Sequence, residues 1–350
     1  MPVKGAEPSD RGLRGVAVRL LSSRGSSAGA VCVLAARALR ALVDGYVAVL
    51  LPAYLLALGF GSWEVGLLST ATLLGSALAT LAVGAWGHRF GRGQLLRAAA
   101  VLMALTGVAF AFQASLWPLL VIAFVGTLNP SSGDVSVFLP LEHARLAEAP
   151  GSARVALFAR YSLLGALFAA LGALASAIPD WASAHLGVTR LFAMRGMFLL
   201  YGGGGLAVWA IYRHLPDGGE ESRQQPAPLD ESRRVVLKLA ALFCLDSFAG
   251  GLVLNAMLAL WLFRRFDLSL AAAGVFFFWA GLLAAASQLA APLLARRIGL
   301  LNTMVFTHIP GSICLILAAL APSLPAALTL LFLRSALSQM DVPALSLIHI

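Results

Sequence analysis

The sequence is short of charge. Only 12 % of its 350 residues are Asp, Glu, Lys or Arg, against the ~25 % of an ordinary soluble domain. That deficit argues against a soluble enzyme or a nucleic-acid binder, even though the net charge is +9. Lysine is almost missing: Lys4 and Lys238 stand beside 23 Arg, a bias that, with the abundant alanine, fits a GC-rich bacterial genome. Cysteine is scarce as well. Cys32, Cys244 and Cys314 each sit in an apolar run, none in CxxC spacing, so they read as small core residues rather than disulfides or metal ligands. There is no P-loop for ATP, no His/Cys/acid cluster at metal spacing and no legible Ser-His-Asp arrangement. No cofactor is expected, and the chain is not read as an enzyme. Residues 1–29 lack a cleavage site and contain Glu7 and Asp10, so they read as a cytoplasmic tail and not as a removed signal peptide.

What the chain has instead is apolar length. Hydrophobic residues make up 60 % and mean hydropathy is +0.87. At ~20 apolar residues per membrane helix, that is material for about ten helices, an all-α polytopic protein of the lipid bilayer. The apolar runs are read as spans Ala30–Leu58, Trp63–Trp86, Leu95–Phe112, Leu116–Leu141, Val155–Ile178, Leu191–Ile211, Val235–Phe263, Leu270–Leu294 and Leu300–Ala321, with a tenth starting near Ala326. Six spans (residues 30–212) precede a charged, Pro/Gly-rich cytoplasmic linker at 213–234, and four (235–344) follow it. With the N-terminus in the cytoplasm, 17 of the 25 basic residues fall in or beside cytoplasmic segments. Four (Arg190, Arg195, Arg264, Arg265) fall on the other side, a positive-inside bias.

The two groups of spans resemble each other. Gly66 and Gly274, Arg89 and Arg297, and Gly91 and Gly299 are each 208 positions apart. SSGDV (Ser131–Val135) matches SQMDV (Ser338–Val342) at 207, and Asp44 matches Asp246 at 202. The smaller last offset calls for about six extra residues after the seventh span, where FRRFD (Phe263–Asp267) stands. Internal repeats of this kind build secondary transporters.

Between spans 2 and 3 the run GAWGHRFGR carries Gly84, His88, Arg89, Gly91 and Arg92. Here the chain resembles the major facilitator superfamily, whose pattern at this loop is G-x-x-x-D-R-x-G-R-R. Four positions are kept, while His88 replaces the acidic residue and Gly93 the last basic one. Glycines suit a sharp backbone reversal, and the arginines hold the loop in the cytoplasm. The resemblance implies two pseudo-symmetric six-helix bundles, and a role for the acidic position in holding the halves together. His88 puts that interaction in question or makes it pH-sensitive; it also reads as a simple solvated loop residue. The GPxxGG segment of drug–proton antiporters is missing from span 5, and span 4 has no Arg near its middle. Both absences argue against a standard multidrug antiporter. By the same resemblance the second bundle is incomplete, ending within the tenth span, and residues 345–350 read as a non-native tail.

Acidic residues inside membrane helices are costly and usually functional. The family lines its cavity with helices 1, 4, 7 and 10, and this chain has Asp44, Asp134, Asp246 and Asp341 on those spans. Two roles fit them: proton or cation coupling, or structural ion pairs closing the cytoplasmic side. Arg40, one turn before Asp44, is placed to pair with it, and Arg334 with an Asp of a neighbouring helix. The segment Asn129-Pro130-Ser131-Ser132-Gly133-Asp134 is expected to break span 4, either exposing backbone to a substrate or only kinking the helix for packing. Asn255, Tyr161 and Gln288 are further polar cavity candidates, whereas Gly202–Gly205 reads as a close-packing segment. The expected function is secondary transport of a small solute by a monomer in a bacterial inner membrane, by alternating access. Proton-coupled efflux or exchange is one form and metabolite uptake another. The alternative is a non-transporting sensor or scaffold on a transporter fold.

Overall fold

The computed structural model describes residues 28–131, 136–149, 151–215, 233–251 and 253–338. Among them all regular structure is helical. In the first half run α1 (Ala28–Ala57), α2 (Ser62–Trp86), α3 (Arg92–Phe112), α4 (Leu116–Val125), α5 (Phe138–Leu146), α6 (Gly151–Ala175), α7 (Ile178–Leu186) and α8 (Arg190–Tyr212). In the second half run α9 (Arg233–Gly251), α10 (Asn255–Phe266), α11 (Leu270–Ile298), α12 (Leu300–Leu320) and α13 (Leu324–Leu337). Seven of the described helices are long and apolar enough to cross a membrane.

The repeat is visible in where helices begin and end. Ser62 and Leu270, Arg92 and Leu300, Phe112 and Leu320, and Leu116 and Leu324 are all 208 positions apart. Helix limits are fixed by where apolar sequence meets polar punctuation, so equal spacing means that the same pattern was written twice.

α1 is the central post. It is buried along most of its length, including Leu34, Val47, Leu51 and Tyr54, as befits a helix apolar on every side. α6 and α8 flank it in the first half, and α10 and α11 reach it from the second. Small residues allow close crossings. A Cβ on Gly45 would stand 2.1 Å from the Ala169 carbonyl oxygen, and one on Gly172 1.9 Å from that of Leu42. At the α3–α8 crossing, Gly107 meets Gly202, and Gly205 meets Ala104, so the Gly202–Gly205 segment does serve packing. Outer faces carry Leu74, Leu105, Leu200, Leu293 and Ile316, all exposed, a surface suited to lipid tails. Trp63, Trp117 and Trp181 are exposed near the ends of their helices, where aromatic side chains meet headgroups.

Several boundaries differ from those expected. The fourth span is indeed broken: α4 ends at Val125 and α5 resumes at Phe138, running on to Leu146. The seventh span, expected as one helix, is two, α9 and α10, with Val253 and Leu254 outside both. FRRF is helical to Phe266, so the extra residues do not form a loop after the span as expected. An unforeseen short helix, α7, lies between the fifth and sixth spans. Its Asp180 accepts from Arg190 Nε at 2.6 Å and from the Ala271 N–H of α11 at 3.2 Å, tying the two halves together at that end. The described side chains of α9 are all exposed, because no other described helix packs along it beyond marginal contact. Cys244, expected in the core, is therefore exposed there, while Cys314 is buried and Cys32 half-buried.

Candidate functional site

The loop between α2 and α3 forms a single 3-10 turn, Gly87–Arg89. Neither Gly84 nor Gly91 adopts a positive φ, so the expected glycine-dependent reversal is not how this turn is made. Gly91 instead caps α3, its N–H donating to Gln94 Oε1 at 3.3 Å. Its repeat partner Gly299 does take φ +86°, so the two halves solve the same turn differently. Arg92 pairs with Glu148 at 2.8 Å, within the first half. Arg89 is exposed and His88 half-buried, its Nδ1 without a hydrogen bond.

Inside the first half lies a cluster of buried charge. Glu142 on α5 is fully buried. Its carboxylate accepts from Arg40 of α1, from Tyr212 of α8 and, at 2.5 Å, from Tyr161 of α6. Four helices thus converge on one carboxylate. The Arg40 guanidinium also lies over the Phe138 ring, 4.1 Å from its centroid. The expected Arg40–Asp44 pair is replaced: Arg40 forms its ion pair with Glu142, because α5 extends past the expected end of the fourth span and brings this residue to α1. Asp44 is itself buried, at 4 % exposure, with Oδ1 lacking a hydrogen bond. Arg40, Arg37, Tyr46 and Tyr201 are its polar neighbours.

Next to this cluster is a cavity of about 490 Å³, walled by α1, α5 and α6 on one side and by α10, α11 and α13 on the other. Tyr161, Asn255, Gln288 and Arg334, singled out from the sequence, all line it. Sequence reasoning missed Arg37, His143, Ser162 and Ser335, which also line it. Arg37, three residues before Arg40, lies over the Tyr161 ring at 5.0 Å. It fills the space left at Gly165, where a Cβ would come within 2.6 Å of its Nε. Glu142 was missed because it sits past the apolar run; its helical spacing from Phe138 was the available signal.

Asn129 is buried in the break of the fourth span. Its Oδ1 accepts from the Ser131 N–H at 3.0 Å and hydroxyl at 2.7 Å, a local turn that competes with helix. The Pro130 carbonyl accepts from the Ala256 N–H of α10 at 3.1 Å. The breaks of spans 4 and 7 therefore meet across the two halves, each supplying what a broken helix leaves unpaired. Asp134 and Asp341 lie outside the described residues. Asp246 is on α9, its side chain outside them too. Among the described residues, no group of three His, Cys, Asp or Glu could hold a metal ion.

Residues 33–348 match the Major Facilitator Superfamily. The chain belongs to that family. It is 27 % identical over 341 residues to an uncharacterised membrane protein of Saccharomyces cerevisiae, covering 87 % of this chain and 76 % of that one. Among solved structures it is similar to the xylose transporter XylE from E. coli in a partially occluded inward-open conformation. There the TM-score is 0.68 at 16 % identity, over 91 % of this chain and 84 % of the other. It is also similar to a bacterial homologue of the human lysosomal transporter Spinster in an inward-facing, unoccupied conformation. That match has a TM-score of 0.64 at 17 % identity, over 90 % and 73 % of the two chains. At these identities the structural likeness establishes the fold: a multi-pass helical transporter architecture.

Proposed function

We propose that this chain is a secondary active transporter that moves a small solute by alternating access. Residues 30–212 and 235–344 serve as the two moving bodies, and the cavity between them is the solute site. One observation carries the reading: the cavity's walls are divided between two repeats of one helix pattern, so rocking one against the other exposes it to alternate sides. Both walls come from one chain, which supports a monomer as the working unit. The basic loops support an N-terminus in the cytoplasm, and the arginine-rich composition supports a bacterial inner membrane. No covalent chemistry is asked of it.

Asp44 is the residue we assign to proton coupling. Asp44 is buried with one carboxylate oxygen lacking a hydrogen bond, an atom on which a proton can be carried, and Arg37 and Arg40 are the cations beside it. The test is flux in proteoliposomes containing the full chain. Asp44→Asn is expected to keep solute counterflow and to lose uphill accumulation driven by a pH gradient. Undiminished pH-driven accumulation in the variant sinks coupling through Asp44. An absence of substrate-dependent flux in the wild-type protein, across a broad solute panel, overturns transport itself in favour of a sensor or scaffold.

A further inference from the structure

We propose that Tyr201 of α8 is a positioning residue that links a proton on Asp44 to the break of the fourth span, and through that break to the contact between the two halves. The inference rests on the reading of Asp44 as the proton carrier and adds the path by which its protonation reaches the moving parts.

Tyr201 is fully buried and has two acceptors in reach. Its hydroxyl donates to the Thr127 carbonyl at 3.0 Å, with the Thr127 hydroxyl 3.4 Å away. The Asp44 carboxylate is its other hydrogen-bonding neighbour. A phenol has one hydrogen to give, so the carbonyl and the carboxylate compete for it.

Thr127 directly follows Gly126, which caps the end of α4. Its carbonyl has left the helical ladder, and such a group inside a bilayer needs a partner from elsewhere in the protein. Tyr201 supplies one. Three residues on, the Pro130 carbonyl accepts from the Ala256 N–H of α10 at 3.1 Å. Leu128, Asn129 and Pro130 are all buried. This short segment therefore runs from Tyr201 in the first half to Ala256 in the second, and close packing leaves little slack between its ends.

The state of Asp44 decides the competition. An ionised carboxylate only accepts, and a charge-assisted hydrogen bond is about twice as strong as a neutral one. It draws the Tyr201 hydrogen away from Thr127. A protonated Asp44 donates to the Tyr201 oxygen instead, which leaves the tyrosine hydrogen on the Thr127 carbonyl. That second arrangement is the one in which the break and Ala256 are joined. Tyr201 keeps its own proton throughout; only the direction of its hydrogen bond changes. Arg37, Arg40 and Tyr46 of α1 are the other charged or titratable groups that bear on Asp44 among the described residues. Arg40 is in turn held by Glu142 of α5, which Tyr161 of α6 and Tyr212 of α8 also engage. These groups are present in both states of Asp44, whereas the donation by Tyr201 differs between them.

The test is hydrogen exchange read by mass spectrometry on the full chain in lipid nanodiscs. It is run across a pH series, corrected for the intrinsic rate, on peptides spanning residues 126–131 and 253–257. In the wild type both peptides are expected to be most protected at low pH, where Asp44 is protonated. Protection is expected to fall about fivefold as pH rises, the contribution of one hydrogen bond. Asp44→Asn, whose side-chain amide donates to Tyr201 as a protonated carboxyl does, is expected to stay protected at every pH. Tyr201→Phe keeps the ring and is expected to hold both peptides at the weakly protected level at every pH. A hydroxyl with a merely structural role would lower protection and leave its pH dependence in place. Should Tyr201→Phe fail to fold, infrared difference spectra of the wild type between low and high pH read the hydroxyl directly. A tyrosine C–O band that moves with the Asp44 carboxyl band supports the link, and tyrosine bands that stay fixed overturn it. The proposal is also overturned if wild-type protection does not change with pH, or if either variant keeps the wild-type pH dependence. Loss of pH-driven accumulation in Asp44→Asn, with Tyr201→Phe still pH-dependent in exchange, overturns this link and leaves coupling through Asp44 standing. Undiminished accumulation in Asp44→Asn overturns coupling, while a pH-dependent break that needs both residues still supports the link.

Discussion

Replacing Glu142 by Gln removes one negative charge from a site where four helices meet, and the structure sets the scale of the loss. Glu142 is fully buried, and Arg40 is 1 % exposed. The carboxylate accepts from Arg40, Tyr161 and Tyr212. A glutamine still accepts through Oε1 and donates through Nε2, so the tyrosine hydroxyls keep partners. The guanidinium is then left buried, with its Nε already lacking a hydrogen bond and the Phe138 ring 4.1 Å from its centre. Leaving one member of a buried ion pair uncompensated costs about 3–5 kcal/mol. Asp44 lies one turn on along α1, which places the expected loss at the lower end, about 3 kcal/mol. The assay is unfolding of the purified protein in mixed micelles by titration with denaturing detergent, followed by tryptophan fluorescence. Arg40→Leu alone is expected to be as damaging, since it leaves Glu142 charged and buried. The double variant Arg40→Leu/Glu142→Leu is expected to recover most of the loss, because it removes both charges and both desolvation penalties. A Glu142→Gln loss below about 1 kcal/mol, or a double variant as unstable as the sum of the singles, would refute the assignment of this cluster as the buried electrostatic centre of the first half.

Two further outcomes follow from the packing. Gly172→Val drives a side chain into the Leu42 carbonyl and is expected to destabilise the protein by about 3 kcal/mol or more, read as loss of the monodisperse peak in fluorescence-detected gel filtration. Gly66→Ala, with nothing near its added Cβ, is expected to be tolerated or slightly stabilising in the same assay, and equal damage from both would refute the packing argument. Asp180→Ala removes the carboxylate that ties α7 to the Ala271 N–H of α11. At about 1 kcal/mol for one such bond, it is expected to shift the populations open at either end by about fivefold. Spin labels on α7 and α11 would report this as a change in distance distribution, and an unchanged distribution would count against a closing role for the contact.

Much of the fold was legible because membrane spans are written in composition. An apolar run bounded by polar punctuation has few alternatives in lipid, where every backbone group must be paired internally. The start of α11 at Leu270, the end of α3 at Phe112 and the break after α4 all follow that rule. The break in the seventh span was hidden because LAALFCLDSFAGGLVLNAMLAL has only the isolated polar residues Asp246, Ser247 and Asn255 and no proline or polar run to mark an end; Gly250 and Gly251 were its faint signal. Of the candidate site, polar residues within spans were visible and their partners were not. Arg40 stood out, but a residue one turn away on the same helix was a nearer guess than Glu142, 102 positions on.

The sequence by itself determined that this protein is helical, lies in a membrane and repeats one pattern at a spacing of 208, because hydrophobicity and helix limits are local properties. Only the tertiary structure decided which charges are matched and which face open space. It assigned Arg40 to Glu142 and left Arg334 on a cavity wall without a described partner. Pairing depends on which helix faces cross, and that is settled by the close approach of small residues on α1 and α6 and by the extension of α5 beyond the apolar run.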